Sequence, residues 1–169
     1  MADTDRVQFD DFVVSRWPGL VRLAYGLTGD RWLAEDLAQT ALAKAYAAWW
    51  RVSRAEDPDA YVRRILINTS HSRFRRHRVT EQSRTMTEFP QTSAPDPAAL
   101  VGERSALLAA LAELPARQRA VIVLRFWEDL SDAQTAAILG CSASTVRSQA
   151  SRALAKLRCS PALVDGDSR

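Results

Sequence analysis

The side chains best suited to chemistry lie together in one predicted helix near the end of the chain. This helix starts at Ser142. Its outer face carries short hydroxyl groups followed by basic groups, with no acidic residue between Gly140 and Arg158. The candidate contacts are Ser144, Thr145, Arg147, Ser148 and Arg152. Short polar side chains let a helix approach base edges closely, and guanidinium groups bind phosphates. The pattern predicts DNA binding, whereas an ordinary amphipathic surface helix usually mixes both charge signs.

A second polar stripe is predicted on a helix in the middle of the chain. It consists of Arg64, Asn68, His71, Arg75 and Arg78, with Arg76 beside it. The spacings of 4, 3, 4 and 3 residues place the five stripe residues on one helix face. Residues 61–84 hold seven basic residues and one acidic residue. Clustered charge often marks only a solvated face, but here it is also patterned, which favours nucleic-acid binding.

The sequence contains no arrangement typical of an active site or a metal site. His71 and His77 have no carboxylate at a ligand spacing, and Cys141 and Cys159 form no Cys-X-X-Cys pair. Neither a glycine-rich phosphate loop nor a Ser/His/Asp set is evident. We therefore expect a protein that is not an enzyme and uses no cofactor and no metal.

The composition predicts a cytoplasmic protein. No apolar run approaches the ~18 residues that a membrane-spanning helix needs, so we expect no membrane insertion. The N-terminal stretch MADTDRVQFDDF is acidic and polar, unlike a secretory signal. Two cysteines are too few to hold a fold together, which fits a reducing compartment.

Helices must position these side chains, and every predicted element is a helix. In the first half the helices are expected at Phe9–Leu27 with an irregularity at Pro18, from Asp30 to about Trp50, and from about Pro58 to Arg78. Asp30 caps the second helix, and Asp57 or Asp59 caps the third. The segment Arg51–Pro58 is expected to be a loop.

The second half is predicted to end in a helix-turn-helix. Leu100–Leu114 is helical, and Pro115 opens the next helix. Ser131 and Gln134 have the spacing of a capping box, Gly140 ends that helix, and Ser142 caps the following one. Two helices joined by so short a turn form the helix-turn-helix arrangement.

Each half has its own set of apolar positions. In the first half we expect Leu33, Leu37, Ala41, Ala45, Tyr61, Val62, Ile65, Leu66 and Thr69 to face a core. In the second half we expect Val121, Ile122, Leu124, Phe126, Trp127, Val146, Ala150, Ala153, Leu154 and Leu157 to do so.

Residues 80–98 have the composition of a flexible linker, with three prolines, many Ser/Thr residues and few large apolar ones. They divide the chain into two small helical domains, residues 8–79 and 99–160, so the predicted fold class is all-α. Fully extended, a linker of this length spans at most about 65 Å. We therefore expect two independent cores that need not touch.

The motifs and their order resemble one known family, the extracytoplasmic-function group of bacterial sigma-70 family sigma factors, and in particular its actinobacterial SigE-type subgroup. The similar stretches are TGDRWLAEDLAQTALAKAY, DPDAYVRRILINT and LPARQRAVIVLRFWEDLSDAQTAAILGCSASTVRSQASRALAKLR. In that family the first half is region 2, a helical bundle, and the second half is region 4, a helix-turn-helix. The resemblance implies a sigma factor that binds RNA polymerase core and directs promoter-specific initiation by recognising −35 and −10 elements.

The resemblance also implies roles for three groups of residues. Glu35, Asp36 and Gln39 resemble the surface that docks on the clamp helices of the largest polymerase subunit. Arg64, Asn68, His71, Arg75 and Arg76, next to the loop Arg51–Pro58, resemble the residues that open and read the −10 element. Ser144, Thr145, Arg147, Ser148 and Arg152 resemble the reader of the −35 element. Acidic residues early in a helix also offset its dipole, which is the alternative for Glu35 and Asp36.

Trp49 and Trp50 lie beside the predicted −10 loop, where an extruded base needs a stacking partner. Core packing is the alternative for both rings, and we expect at least one of them to be buried.

The implied partners are RNA polymerase core and promoter DNA, and the family commonly pairs with an anti-sigma factor. One alternative is a helix-turn-helix transcriptional regulator that does not bind core polymerase. Such a protein would need an α/β receiver or a ligand-sensing domain ahead of the helix-turn-helix. An enzyme acting on nucleic acid is a further alternative, for which no residue set is evident.

Overall fold

A computed structural model of the chain describes residues 3–83 and 103–164, and every regular element within these ranges is helical. The first-half helices are α1 (Asp3–Thr28), α2 (Arg31–Ala47), α3 (Trp49–Val52) and α4 (Pro58–Ser83). The second-half helices are α5 (Glu103–Glu113), α6 (Ala116–Ile122), α7 (Asp132–Leu139), α8 (Ala143–Arg158) and α9 (Pro161–Val164). A π-helical segment, Val123–Trp127, continues α6. The all-α fold class is confirmed.

The predicted helix starts are confirmed by their hydrogen bonds. Asp30 accepts from the Leu33 amide at 2.9 Å, and Asp57 accepts from the Ala60 amide at 3.0 Å. Ser131 and Gln134 cap each other's backbone amides at 3.1 and 2.9 Å. These side chains satisfy amides that the first turn of a helix leaves without a partner.

The turn between α7 and α8 also has the predicted form. Gly140 ends α7 with φ +67°, a left-handed conformation that glycine adopts without strain. Ser142 then accepts from the Thr145 amide at 3.1 Å and starts α8. The helix-turn-helix is therefore present as predicted.

Three boundaries differ from the prediction. Helix α1 runs through Pro18 without a break. Pro18 has no amide hydrogen to donate to the carbonyl of Val14, but Val14 is exposed, so water can bond this carbonyl instead. Arg51 and Val52 form the end of α3, so the predicted loop is shorter. Helix α4 continues past Arg78 to Ser83 and takes in the start of the predicted linker. The rest of that linker, residues 84–98, lies outside the described residues.

Two predicted core positions are wrong. The Leu33 side chain is 54% exposed, and the buried row of α2 starts at its neighbour Ala34. A spacing of four residues advances about 400° around a helix, so the row turns by about 40° at each step, and its later members Leu37, Ala41 and Ala45 are buried whereas Leu33 is not. Phe126 is 56% exposed, because the π-helical segment shifts the register of the helix and turns this ring outward.

The two halves share one hydrophobic core, contrary to the expectation of two independent ones. A single cluster of buried residues includes Leu23 and Leu66 from the first half and Leu111, Val123 and Leu124 from the second. Helix α1 packs against α5 and the π-helical segment, and α4 packs against α6 and α7. The domain boundaries at residues 79 and 99 stay a prediction.

Candidate nucleic-acid interface

Helix α8 presents its predicted face to the outside. Its apolar side chains Val146, Ala150, Ala153 and Leu157 are buried, and α8 packs mainly against α6 and α7. The opposite side chains are open to a ligand: Ser144, Arg147, Ser148 and Arg152 are exposed, and Thr145 is half-buried. The structure therefore brings all five predicted −35 residues onto one accessible surface.

Hydrogen bonds fix the hydroxyl groups at the start of this surface. Ser142 Oγ lies 2.9 Å from both Ser144 Oγ and Thr145 Oγ1. Ser148 Oγ donates to the Thr145 carbonyl at 3.1 Å. A hydroxyl has one proton and two acceptor lone pairs, so Ser148 points its acceptor capacity outward. Base-edge amino groups of adenine or cytosine match such an acceptor.

Arg147 has an acidic neighbour that sequence reasoning missed. Its Nη1 lies 3.7 Å from Asp132 Oδ2, and Asp132 Oδ1 lies 2.7 Å from Arg125 Nε. Asp132 is the first residue of α7, so the helix-turn-helix geometry places it beside α8. Because the Arg147 side chain is mostly exposed, a phosphate can replace this weak contact.

The residues of the basic stripe on α4 differ in their contacts with the second half of the chain. Arg64, Asn68, Arg75 and Arg76 are exposed. Arg64 lies against the turn of the helix-turn-helix, since a Cβ at Gly140 would be 2.9 Å from Arg64 Nη2. His71 is half-buried under the second half of the chain. The five predicted −10 residues thus share a helix, but two of them contact α6 or the α7–α8 turn.

Burial lowers the pKa of His71 below its ordinary value. The positive charges of Arg117, Arg75 and Arg119 lower it further, while a hydrogen bond with the backbone of Ala116 acts in the opposite direction. The other ring nitrogen, Nε2, is buried without a hydrogen-bond partner. Burial and the neighbouring positive charges therefore favour the neutral form of His71.

The predicted polymerase-docking residues lie together on α2. Asp36 and Gln39 are exposed, and Glu35 is half-buried with its carboxylate 3.3 Å from Arg31. Asp36 accepts from Arg73 of α4 at 2.6 Å. Two exposed apolar residues, Trp32 and Leu33, precede this cluster. The exposure of Leu33 was missed because this residue was assigned to the core.

The two adjacent tryptophans have opposite environments. Trp49 is 4% exposed and packs against the rings of Phe9 and Phe12, with centroids 5.1 and 5.4 Å away. Trp50 is 57% exposed, and the Arg51 guanidinium lies 5.0 Å from its ring centre. The expectation that at least one of the pair is buried is confirmed, and Trp50 is left accessible for stacking.

Within residues 3–83 and 103–164, no group of three or more His, Cys, Asp or Glu side chains could hold a metal ion. None of the helices described is long and apolar enough to cross a membrane.

Every element in the described residues is helical, and the capped helix-turn-helix with its outer face of hydroxyl and guanidinium groups places the chain in the class of helix-turn-helix proteins. Comparison with known families makes the class specific: residues 13–80 match Sigma-70 region 2, and residues 104–157 match Sigma-70, region 4. The chain belongs to the sigma-70 family, in its extracytoplasmic-function group, and is an RNA polymerase sigma factor. The alternative of a regulator outside this family is not favoured.

Similar proteins cover nearly the whole chain. The RNA polymerase sigma-E factor of Streptomyces antibioticus is 39% identical over 158 residues, which are 94% of this chain and 87% of that protein. The extracytoplasmic-function RNA polymerase sigma factor SigL of Mycobacterium tuberculosis is 32% identical over 160 residues, which are 90% of this chain and 86% of SigL.

Solved structures agree with these sequence similarities. The sigma factor RpoE of Bartonella quintana, solved in complex with the anti-sigma factor NepR, has a TM-score of 0.70 at 26% identity and covers 95% of this chain and 98% of its own. CnrH, solved with the cytosolic domain of CnrY, has a TM-score of 0.64 at 25% identity and covers 96% of this chain and 91% of its own.

Proposed function

We propose that α8 reads the −35 element, that α4 holds the −10 element, and that the exposed acidic end of α2 docks on the clamp helices of RNA polymerase. The observation that carries this proposal is the outer face of α8, where fixed hydroxyls precede exposed guanidinium groups above a buried apolar stripe. Region 4 of a sigma factor has to discriminate duplex sequence, and this face has the groups for both base edges and phosphates.

On the −35 side, Arg147 and Arg152 bind phosphates and set the position of α8 in the major groove. Ser144, Thr145 and Ser148 meet base edges. The hydroxyl network with Ser142 holds the first two of these groups in place before DNA arrives, so less side-chain entropy is lost on binding.

On the −10 side, Arg64, Asn68, Arg75 and Arg76 bind a separated strand along α4, with His71 at the edge of the stripe. Arg75 and Arg76 neutralise phosphates, and Asn68 has an amide that can pair with adenine. Trp50 offers an exposed ring on which an unpaired base can stack.

The protein performs no bond-forming chemistry in this scheme, because the polymerase supplies catalysis, and it needs no cofactor or metal of its own. It works in the cytoplasm, where the polymerase transcribes. We propose an anti-sigma factor as a further partner, because RpoE was solved in complex with the anti-sigma factor NepR, and CnrH was solved with the cytosolic domain of CnrY.

Reconstitution with core polymerase tests the proposal. The holoenzyme is incubated with fragmented genomic DNA, and the 5′ ends of the transcripts are sequenced. We expect the start sites to share two upstream sequence blocks, one at −35 and one at −10. A variant with Ser144, Thr145 and Ser148 all replaced by Ala should lose the shared −35 block only. Start sites without any shared −35 block would contradict the assignment of α8.

A further inference from the structure

The carboxylate of Asp132 lies between two arginines, one mostly covered and one on the exposed face of α8. Asp132 Oδ1 lies 2.7 Å from Arg125 Nε, and Asp132 Oδ2 lies 3.7 Å from Arg147 Nη1. The Arg125 side chain is 29% exposed, whereas that of Arg147 is 63% exposed. One carboxylate therefore links a covered guanidinium to the guanidinium for which a DNA contact is proposed.

Arg125 holds Asp132 in place. Its Nη1 donates to the Leu130 carbonyl at 2.8 Å, and its guanidinium carbon lies 5.5 Å from the centre of the Phe126 ring. Arg125 Nε and Asp132 Oδ1 are both buried, and they form a close ion pair without the alignment of a hydrogen bond. A covered carboxylate needs such a partner, and Asp132 keeps this one when Arg147 turns away.

The contact between Asp132 and Arg147 is the weaker of the two. Its distance of 3.7 Å is longer than a hydrogen bond, and solvent screens an ion pair whose arginine is mostly exposed. A guanidinium binds a phosphate through charge-assisted hydrogen bonds of about 2.8 Å, often two at once. A phosphate that reaches Arg147 can therefore displace the carboxylate, which stays paired with Arg125.

A cleft beside α8 has the groups to receive a phosphate. Arg125, Asp132 and Arg147 line this cleft of about 280 Å³ together with Ser151 and Arg158. Three guanidinium groups face one carboxylate there, so the cleft has a net positive charge. Ser151 lies one helical turn beyond Arg147 and is exposed, which adds a hydroxyl donor on the same side of α8.

We propose that this cleft binds a backbone phosphate of the −35 duplex, and that Asp132 is the internal counter-ion which the phosphate displaces from Arg147. Because Arg147 must leave the carboxylate before it binds the phosphate, Asp132 lowers the affinity of α8 for every duplex on which Arg147 makes this contact. The inference rests on the proposed −35 role of α8. An acid in the first turn of α7 also offsets the helix dipole, but that role alone would support DNA binding and would not weaken it.

The first test removes the charge of Asp132 in the full chain. Asp132→Asn keeps the size of the side chain, and Asp129→Asn is the matched control, since Asp129 is an exposed acid three residues earlier. The backbone of Asp129 has a φ of +54°, which Asn tolerates. Holoenzyme reconstituted with each variant is titrated in the cold, where the duplex stays closed, with a promoter fragment that carries the shared −35 block. Filter binding across a salt series gives the dissociation constant.

We expect Asp132→Asn to bind the fragment about threefold more tightly at low salt, as the loss of an exposed competing ion pair predicts. The gain should shrink as salt rises, because salt screens such a pair. Asp129→Asn and the charge-conserving Asp132→Glu should bind like the parent chain. Damage to α7 would weaken binding, so a gain cannot arise from misfolding. Unchanged or weaker binding by Asp132→Asn would overturn the proposal, and so would an equal gain in Asp129→Asn.

The second test asks whether the effect passes through Arg147. In an Arg147→Ala background, Asp132→Asn should no longer tighten binding, because the carboxylate then has no guanidinium to withhold. The same threefold gain with and without Arg147 would show that Asp132 only repels DNA, and would contradict the counter-ion role. If Arg147→Ala by itself leaves binding unchanged, the phosphate contact in the proposed function is wrong, which is a different result from an ineffective Asp132→Asn.

Discussion

At the scale of single residues, the proposed DNA-binding face of α8 has guanidinium groups placed to contact phosphates and hydroxyl groups placed to contact base edges. Arg147 reaches outward next to Asp132, at a place where a phosphate can replace a carboxylate. Ser148 has its proton engaged by the Thr145 carbonyl and faces outward as an acceptor. Neighbours in sequence can therefore have different roles in recognition.

Replacing these two residues separately should give results of different kinds. Arg147→Ala should weaken binding at every promoter and lower the salt slope by about one unit, because one phosphate contact is lost. Ser148→Ala should instead change base preference within the −35 block, by about 1 kcal/mol at one position. Competition binding to a randomised −35 library at two salt concentrations measures both effects. If both variants scale all sequences equally, the assignment of faces is wrong.

Asp36→Arg should abolish the binding of core polymerase. The carboxylate is exposed and pairs with Arg73, so the change removes an acidic contact and places a second positive charge beside Arg73. Stability should shift by only about 0.5 kcal/mol, as for most surface substitutions. Pull-down of core polymerase checks the prediction, and Arg73→Ala is the control, since it breaks the ion pair but keeps the acid. Normal pull-down with Asp36→Arg would refute the docking role.

Acid should destabilise the chain through His71. Its pKa is lowered in the folded chain, so the unfolded chain binds the proton more readily. The stability that this difference provides is fully present above the ordinary histidine pKa of about 6.5 and is lost as pH falls from there through the lowered value. We expect the loss of melting temperature between pH 7.5 and pH 5 to be smaller in His71→Gln. His77→Gln, an exposed histidine on the same helix, serves as the comparison.

At the scale of elements, the sequence predicts well what depends on neighbours within a few residues. Asp30, Asp57 and Ser131 cap their helices as expected, because capping needs only a side chain and the amide three residues on. The outer face of α8 follows from helical periodicity for the same reason. Leu33 and Phe126 were misplaced, because their exposure depends on which row of α2 meets the core and on a π-helical turn.

Contacts between distant elements were not predictable in this way. Glu128 belongs to a Trp-Glu-Asp stretch before a turn and has no sequence feature that marks a buried acid. Its partners, Arg63 and Arg22, lie 65 and 106 residues away in the chain. His71 fits the α4 stripe by spacing, yet α6 partly covers it. For such residues the periodicity identifies the face, and only the packing of the halves decides what lies against it.

Gly140 has two constraints, and substitutions separate them. Gly140→Ala should lower the free energy of unfolding by about 1–2 kcal/mol, because an L-residue is strained at a φ of +67°. Gly140→Asn should cost less, since Asn tolerates this conformation better, although both variants place a Cβ near Arg64. Urea denaturation measures the difference. Equal losses would mean that the clash with Arg64, and not the backbone, requires glycine.

At the scale of the whole molecule, the proposed domains of residues 8–79 and 99–160 are joined by a shared core. Fragments 1–83 and 99–169, expressed separately, should therefore associate when mixed, because Leu23 and Leu66 belong to the same buried cluster as Leu111 and Val123. Glu128→Gln in the second fragment should weaken association by about tenfold, or ~1.4 kcal/mol. Isothermal titration calorimetry measures both values. Fragments that fold but do not associate would show that the contact depends on the connecting residues.

The π-helical segment determines the direction in which all the residues after it face. Such a segment holds one residue more than an α-helix needs for the same number of turns. A chain lacking one residue between Val123 and Trp127 would close an ordinary helix, and everything that follows would move by about 100° around the axis. Glu128 would then face away from Arg22 and Arg63, while the helix-turn-helix beyond it would be carried to a new orientation. One extra residue in this segment is therefore enough to bring Glu128 against Arg22 and Arg63 and to join the two halves into one unit.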